Sequence, residues 1–257
     1  MTNDFAYDVW YMFVRANKKY MRSPALVFFS LVTPIIFFFL FTQLFKVLGG
    51  VPGFPAGSYL QFAIAGILLM EAFNTALRTG SSIVEDYDSE YLSKLLVTPV
   101  SRPAILLGRL LSDGVRVIVQ SIIILALAYL MGANFVTGAL GIILILITMA
   151  VFGMAWSGVS LSVGLATKNG EAISSLSMFL TFPLVFVSTA LLPLTFLPSW
   201  MQYISNVNPI SYIANAVRAL TSTGFNLNTI LLAYAVMLFI AFLGLGTTMH
   251  QFRKLMR

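Results

Sequence analysis

Glu85, Asp86, Asp88 and Glu90 fall within six positions of a 257-residue chain that carries only nine acids in all. Tyr91, Lys94 and Arg102 follow closely, and segment 82–109 is the one long charged stretch set between apolar runs. A polar segment this rich must lie in water. Its chemistry allows two readings: a docking surface for a soluble partner that supplies energy, or a solvated loop joining two spans. A second polar group sits inside an apolar run, where Glu71, Asn74 and Arg78 at i, i+3 and i+7 share one helical stripe. An ionisable group in hydrocarbon is costly, so Glu71 is a functional candidate. It would be either a proton carrier or a structural, cavity-lining acid neutralised by Arg78 with Asn74.

Other chemistry is missing from the sequence. No cysteine occurs and His250 is the single histidine, so neither a disulfide nor a thiolate or histidine metal centre is expected. No GxxxxGK[ST] loop is present, since no glycine precedes a lysine, and there is no Rossmann glycine pattern or serine elbow. The chain is therefore expected to bind no cofactor of its own and to be no enzyme. A lipid-modifying enzyme would need a polar catalytic cluster near one interface, and none is visible.

The elements that must position these groups are membrane helices. Residues are 59% apolar and only 9% charged, against roughly 45–50% and 25% in soluble domains. Mean hydropathy is +0.92. Apolar runs near the ~20 residues that a bilayer core requires place six spans at about 25–45, 59–80, 112–131, 138–165, 172–192 and 229–248. The fold class expected is an all-α integral membrane domain covering 1–257. Segment 4–22 reads as an amphipathic helix in the membrane interface, with Phe5, Val9, Met12, Phe13, Ala16 and Tyr20 on one face and Asp4, Asp8, Arg15, Lys19 and Arg22 opposite. The N-terminus lacks the form of a cleavable signal, because a polar and aromatic segment precedes the first apolar run. Pro193, Pro198 and Pro209 break 193–222 into short helices, read as a re-entrant hairpin, with Asn208 capping a helix that opens on Pro209. Gly153, Ser157, Ser160 and Gly164 put small residues on one face of the fourth span, where another helix can approach closely.

Positive charge orients the domain. Thirteen of the fifteen bases fall on the N-terminal arm, the 78–116 region, Lys168 and the tail, and only Lys46 and Arg218 fall on the other side. Lysine and arginine concentrate in cytoplasmic loops, so both termini and the acidic run are expected in the cytoplasm. The net charge of +6 is then topology and no sign of nucleic-acid binding.

Two sets of residues carry a family resemblance. The acidic run leads into Leu95-Leu96-Val97-Thr98-Pro99-Val100-Ser101-Arg102 and then Leu106-Leu107-Gly108-Arg109. Later come Leu197-Pro198-Ser199-Trp200-Met201, Asn208-Pro209-Ile210-Ser211-Tyr212 and Arg218-Ala219-Leu220. In this order, across essentially the whole chain, they resemble the membrane subunit of ABC type-2 exporters, especially the daunorubicin-resistance-like permeases. The resemblance implies a multi-pass plasma (inner) membrane subunit that pairs with a second copy of itself or a homologous permease. It implies docking on a separate cytosolic ATPase, which would hold the ATP and magnesium. A coupling helix around 85–94 would seat in that ATPase, assigning the docking role to Glu85, Asp86, Asp88, Glu90, Tyr91, Lys94 and Arg102, while Leu92, Leu95 and Leu96 bury against the spans. Polysaccharide-exporting relatives carry a less acidic loop there, which favours a drug or lipid-like cargo. One departure stands out: relatives often place a glycine-threonine step where this chain has Asp88-Ser89-Glu90-Tyr91. The alternative from a different class is a self-contained proton-coupled carrier using Glu71.

Overall fold

The protein was described from a computed structural model covering residues 3–55 and 58–254; the side chains of Asn3, Asp4, Leu96, Ser177, Met178, Arg253 and Lys254 lie outside that description, as does Arg257. The long elements are α1 (Asn3–Met21), α2 (Pro24–Leu44), α3 (Tyr59–Asp88), α5 (Arg102–Leu130), α6 (Gly138–Thr167), α7 (Gly170–Phe186) and α10 (Leu227–Lys254). Three shorter helices, α4 (Tyr91–Leu96), α8 (Ser199–Val207) and α9 (Pro209–Arg218), complete the set, and the described residues contain no strand.

Helices α2, α3, α5, α6 and α10 are long and apolar enough to cross a membrane. The 17 residues of α7 rise only about 26 Å at 1.5 Å each, short of the roughly 30 Å hydrocarbon core. The expected span 172–192 therefore stops early: Pro183 lies in the last turn and the chain unwinds after Phe186. The expected boundary at residue 80 also shifts, because α3 continues without a break to Asp88. On the other side α5 already begins at Arg102. Segment 82–109 is thus two helix ends with α4 between them.

Helix α3 is the axis of the bundle, packed by α2, α5, α6, α7 and α9. Its faces explain this: Phe62, Ala63, Ile64, Ala65, Gly66, Ile67, Leu68 and Leu69 are all buried in succession, so every side of these two turns is apolar or small. By contrast α2 buries only the i, i+4 line Ser30, Pro34, Phe38 and Thr42, and presents Phe28, Phe29, Phe37 and Phe39 outward. Pro34 lacks an amide hydrogen and leaves the Ser30 carbonyl without its helical donor. Gln120 of α5 fills the vacancy, its Nε2 donating to that carbonyl at 3.4 Å while its Oε1 accepts from Thr75 Oγ1 at 2.9 Å. A proline inside a lipid-facing helix is tolerated on those terms.

The small residues of α6 act as expected, by letting backbones approach. At Gly164 a Cβ would meet the Gly80 carbonyl of α3 at 2.7 Å, and Ser160 donates to the Leu77 carbonyl at 3.3 Å. Gly158 faces Gly244 of α10 in the same way, where Thr248 Oγ1 donates to the Gly158 carbonyl at 2.8 Å.

Helix α1 is seated on α5. At Gly108 a Cβ would lie 2.8 Å from both the Val9 carbonyl oxygen and the Phe13 nitrogen. This contact makes a prediction whose sign decides the matter. Alanine in place of glycine stabilises an unpacked helix interior by about 1 kcal/mol, whereas overpacking a closed contact costs about 1–3 kcal/mol. Gly108→Ala is expected to lower the thermal midpoint of the purified protein; a raised midpoint would show that α1 does not rest there.

Candidate functional site

Asp86 is the centre of the polar end of the bundle. It sits on the last turn of α3, and its carboxylate is buried. It accepts hydrogen bonds from Arg109 of α5, from Arg15 Nη1 at 3.3 Å and from Lys19 Nζ at 3.0 Å, both of α1. Three helices are therefore tied to one carboxylate. The i, i+4 register of Arg15 and Lys19 on α1 puts both on the face towards α3, so these two bases turn inward to the bundle. Lys19 also reaches Glu85 at 2.9 Å and Ser82 at 3.3 Å. Asp8, further along α1, accepts from the Ser101 amide at 3.3 Å and so caps the start of α5.

A second ionic pair lies one turn deeper. Asp113 has Arg109 at i−4 and Arg116 at i+3, either of which sequence spacing allows. It pairs with Arg116 at 3.3 Å and accepts from Thr79 of α3, which leaves Arg109 to Asp86. Arg116 also donates to the Ala16 carbonyl at 2.9 Å and stacks on the Tyr20 ring at 4.5 Å, a third tie from α5 to α1.

The four acids of the run thus divide. Asp86 is enclosed, whereas Glu85, Asp88 and Glu90 face outward, the Glu85 side chain being 66% exposed. After α3 the chain reverses at Ser89-Glu90, and Glu90 takes φ 57°, the left-handed region. A side chain there costs about 1–2 kcal/mol that glycine would avoid. Leu92 and Leu95 of α4 are buried, as expected of its apolar face, while Leu96 falls outside the described side chains. Tyr91 lies under the Arg15 guanidinium, 3.5 Å from ring centroid to Cζ, so α1 also holds α4. Lys94 pairs only loosely with Glu90, at 4.0 Å and in solvent, a contact worth a few tenths of a kcal/mol. Arg102 is half-buried at the first turn of α5 and makes no ion pair among the described residues. The α6–α7 turn joins the same end, where Lys168 donates to the Tyr87 hydroxyl at 3.0 Å.

Glu71 is buried well inside α3, and Asn74 and Arg78 are half-buried along the same stripe. Arg78 does not neutralise Glu71 by contact: seven residues separate them by about 10 Å along the axis, and no ion pair forms between them. Arg78 instead lines a cavity of 370 Å³ between α1, α3 and α5.

Arg218 is the residue whose role sequence reading missed; there it stood as a base on the sparsely charged side and in the Arg218-Ala219-Leu220 match, with no contact assigned to it. It ends α9 and donates to the carbonyls of Thr189 at 2.7 Å and Ala190 at 3.5 Å, in the stretch where α7 has unwound. Its guanidinium stacks 3.7 Å above the Phe62 ring and bonds Asn215 Oδ1 at 3.0 Å. Burial lowers the guanidinium, to about 9, which leaves it charged at neutral pH. Tyr59 donates to the Leu191 carbonyl at 3.2 Å and Asn208 to the Leu184 carbonyl at 2.7 Å. The unwound backbone of 187–193 is thereby held by Tyr59 of α3 and Arg218 of α9, while Asn208 holds the last turn of α7. Asn208 does cap α9 as expected, accepting from the Ile210 amide at 2.9 Å.

Spanning helices around a buried α3, with an ionic joint at one end and a bonded, unwound segment at the other, define a multi-pass α-helical membrane protein. The chain belongs to the ABC-2 type transporter family, whose model matches residues 7–222, and its role is that of a transport permease. The daunorubicin resistance ABC transporter permease protein DrrB1 of Streptomyces coeruleorubidus is 30% identical over 206 residues, 80% of this chain and 72% of that protein. A probable doxorubicin resistance ABC transporter permease protein, DrrC of Mycobacterium tuberculosis, is 25% identical over 215 residues, covering 82% and 75%. The inner membrane transport permease YadH of Escherichia coli K12 is 28% identical over 195 residues, or 74% of each chain.

Proposed function

We propose that this chain is the membrane subunit of an ATP-driven exporter, powered by a separate cytosolic ATPase that carries the ATP and magnesium. It would cross the plasma (inner) membrane six times with both termini in the cytoplasm, α7 and the segment after it serving as the fifth crossing. The permease would work as a pair, with a second copy or a homologous subunit. Helix α1 would lie in the interface, with exposed Tyr7, Trp10, Tyr11 and Met21 towards lipid, and α8–α9 would form a hairpin on the far side. The carrying observation is the division of the acids: Glu85, Asp88 and Glu90 project from a turn that Asp86, Arg109 and Arg15 anchor to three helices. A charged surface on a rigid mount suits the transmission of force from a soluble partner. Cargo would be amphiphilic or hydrophobic, in keeping with drug-resistance relatives and with outward faces that carry many phenylalanines.

The exposed acids provide the test. Like charges placed across an interface cost several kcal/mol, and neither Asp88 nor Glu90 supports the bundle. The double variant Asp88→Lys, Glu90→Lys is expected to keep its thermal midpoint within about 1 kcal/mol of stability, as surface changes do. It is also expected to lose co-purification of the ATPase and at least about 90% of ATP-dependent transport into inside-out vesicles, from the interface cost above. Retained coupling would remove the docking assignment. Transport that survives ATP depletion would instead favour proton coupling through Glu71.

A further inference from the structure

We propose that the cavity between α1, α3 and α5 binds the phosphate-ester headgroup of an anionic membrane lipid. Its wall carries five bases, Arg15, Lys19, Arg78, Arg109 and Arg116, against three acids, Glu85, Asp86 and Asp113. The acids are all engaged by the other four bases. Arg78 makes no hydrogen bond and no ion pair with any described residue, although it is half-buried. The Arg116 Nε is buried and likewise lacks a hydrogen-bond partner. A half-buried cation beside like charge is unfavourable, and a bound anion corrects it; a guanidinium fork fits phosphate oxygens in particular. At the rim lie Ser23 and Leu26, the cap and first turn of α2, where no side chain caps the helix amides. Free amides at a helix start add further positive potential.

The rim also distinguishes a lipid from a soluble phosphate ester. Leu26 begins an exposed apolar line that runs through Phe29 and Ile36 of α2, where acyl chains could lie. A volume of 370 Å³ is at the lower end of ligand sites, which suits a headgroup with its chains outside. A lipid held there would touch α1, α2, α3 and α5 at once and would make the ionic joint sensitive to membrane charge. The membrane leaflet involved rests on the cytoplasmic placement proposed above, but binding in detergent has no sidedness and so fails or succeeds separately.

Native mass spectrometry of the purified full chain in detergent, with phosphatidylglycerol or phosphatidylcholine added, is the experiment. Phosphatidylglycerol is expected to be retained about tenfold more strongly, since both lipids offer a phosphate but only phosphatidylcholine brings a quaternary ammonium to a wall with more bases than acids. Arg78→Gln should abolish that preference and Arg78→Lys should restore much of it. Ser82→Glu, which keeps Arg78 but places a carboxylate one helical turn from it in the same wall, should abolish it too, and Lys18→Gln on the exposed side of α1 should not. Equal retention of both lipids, or a preference unchanged by both Arg78→Gln and Ser82→Glu, would overturn the site. Displacement of the lipid by glycerol 3-phosphate at equal concentration would overturn its assignment to lipid.

Discussion

Asp86→Ala is expected to cost about 3–5 kcal/mol of stability, the range found when one partner of a buried ion pair is removed. The carboxylate is the shared acceptor for Arg109, Arg15 and Lys19, and the Arg109 side chain is itself only 7% exposed. Without Asp86 a buried guanidinium loses its counter-charge, and α1 loses its hold on α3. Asp86→Asn keeps an acceptor but not the charge, and should fall between. The cleanest comparison is Asp86→Leu with Arg109→Met. Replacing both members of a buried pair by apolar side chains is often neutral, so the double variant should recover much of what Asp86→Ala loses. Thermal unfolding of the purified permease reads all three, and trypsin cleavage after Arg15 and Lys19 reports release of α1. A midpoint for Asp86→Ala equal to that of the parent chain would mean that the joint bears no load.

The second large effect is expected at Arg218. Arg218→Ala leaves the Thr189 and Ala190 carbonyls without their charged donor. Leaving the firmly bonded Thr189 acceptor unsatisfied costs about 1–3 kcal/mol, and loss of the guanidinium–Phe62 stack removes about 0.5–2 kcal/mol more, so a loss of about 1.5–5 kcal/mol is expected. Arg218→Lys should recover only part, because an ammonium supplies charge without the planar fork that spans two carbonyls and an aromatic face. Equal stability of the Lys variant and the parent would reduce the site to a simple charge. Hydrogen exchange should report the same lesion locally, as faster exchange at 187–193.

Sequence reading reached five of the six expected spans and the polar cluster because both depend on local composition. It placed the start of α9 through Asn208-Pro209, and it expected Leu92 and Leu95 to bury. It could not separate Asp86 from Glu85, Asp88 and Glu90, because the difference arises from Arg109, 23 residues away, and from Arg15, 71 residues away. Arg218 was invisible for a related reason: its partners are backbone carbonyls, which every residue possesses. Helix α3 runs past the expected span 59–80 to Asp88, because helices tolerate charge well and need only leave the bilayer to carry it.

Helix α3 has 30 residues, about 45 Å at the α-helical rise, and it touches both ends of the protein's machinery. Tyr59 at its start is bonded to the unwound segment, and Asp86 near its end is bonded to the joint. Between them, Gly80 lies against Ser160 and Gly164 of α6, where the backbones nearly meet. A stiff rod held near such a crossing can rock but cannot stretch. Displacement of the Asp86 end in one direction obliges the Tyr59 end to swing the other way, with the glycine crossing as fulcrum. Opening on one face of the membrane and closing on the other would then be a single movement of one element, needing no signal passed between separate gates.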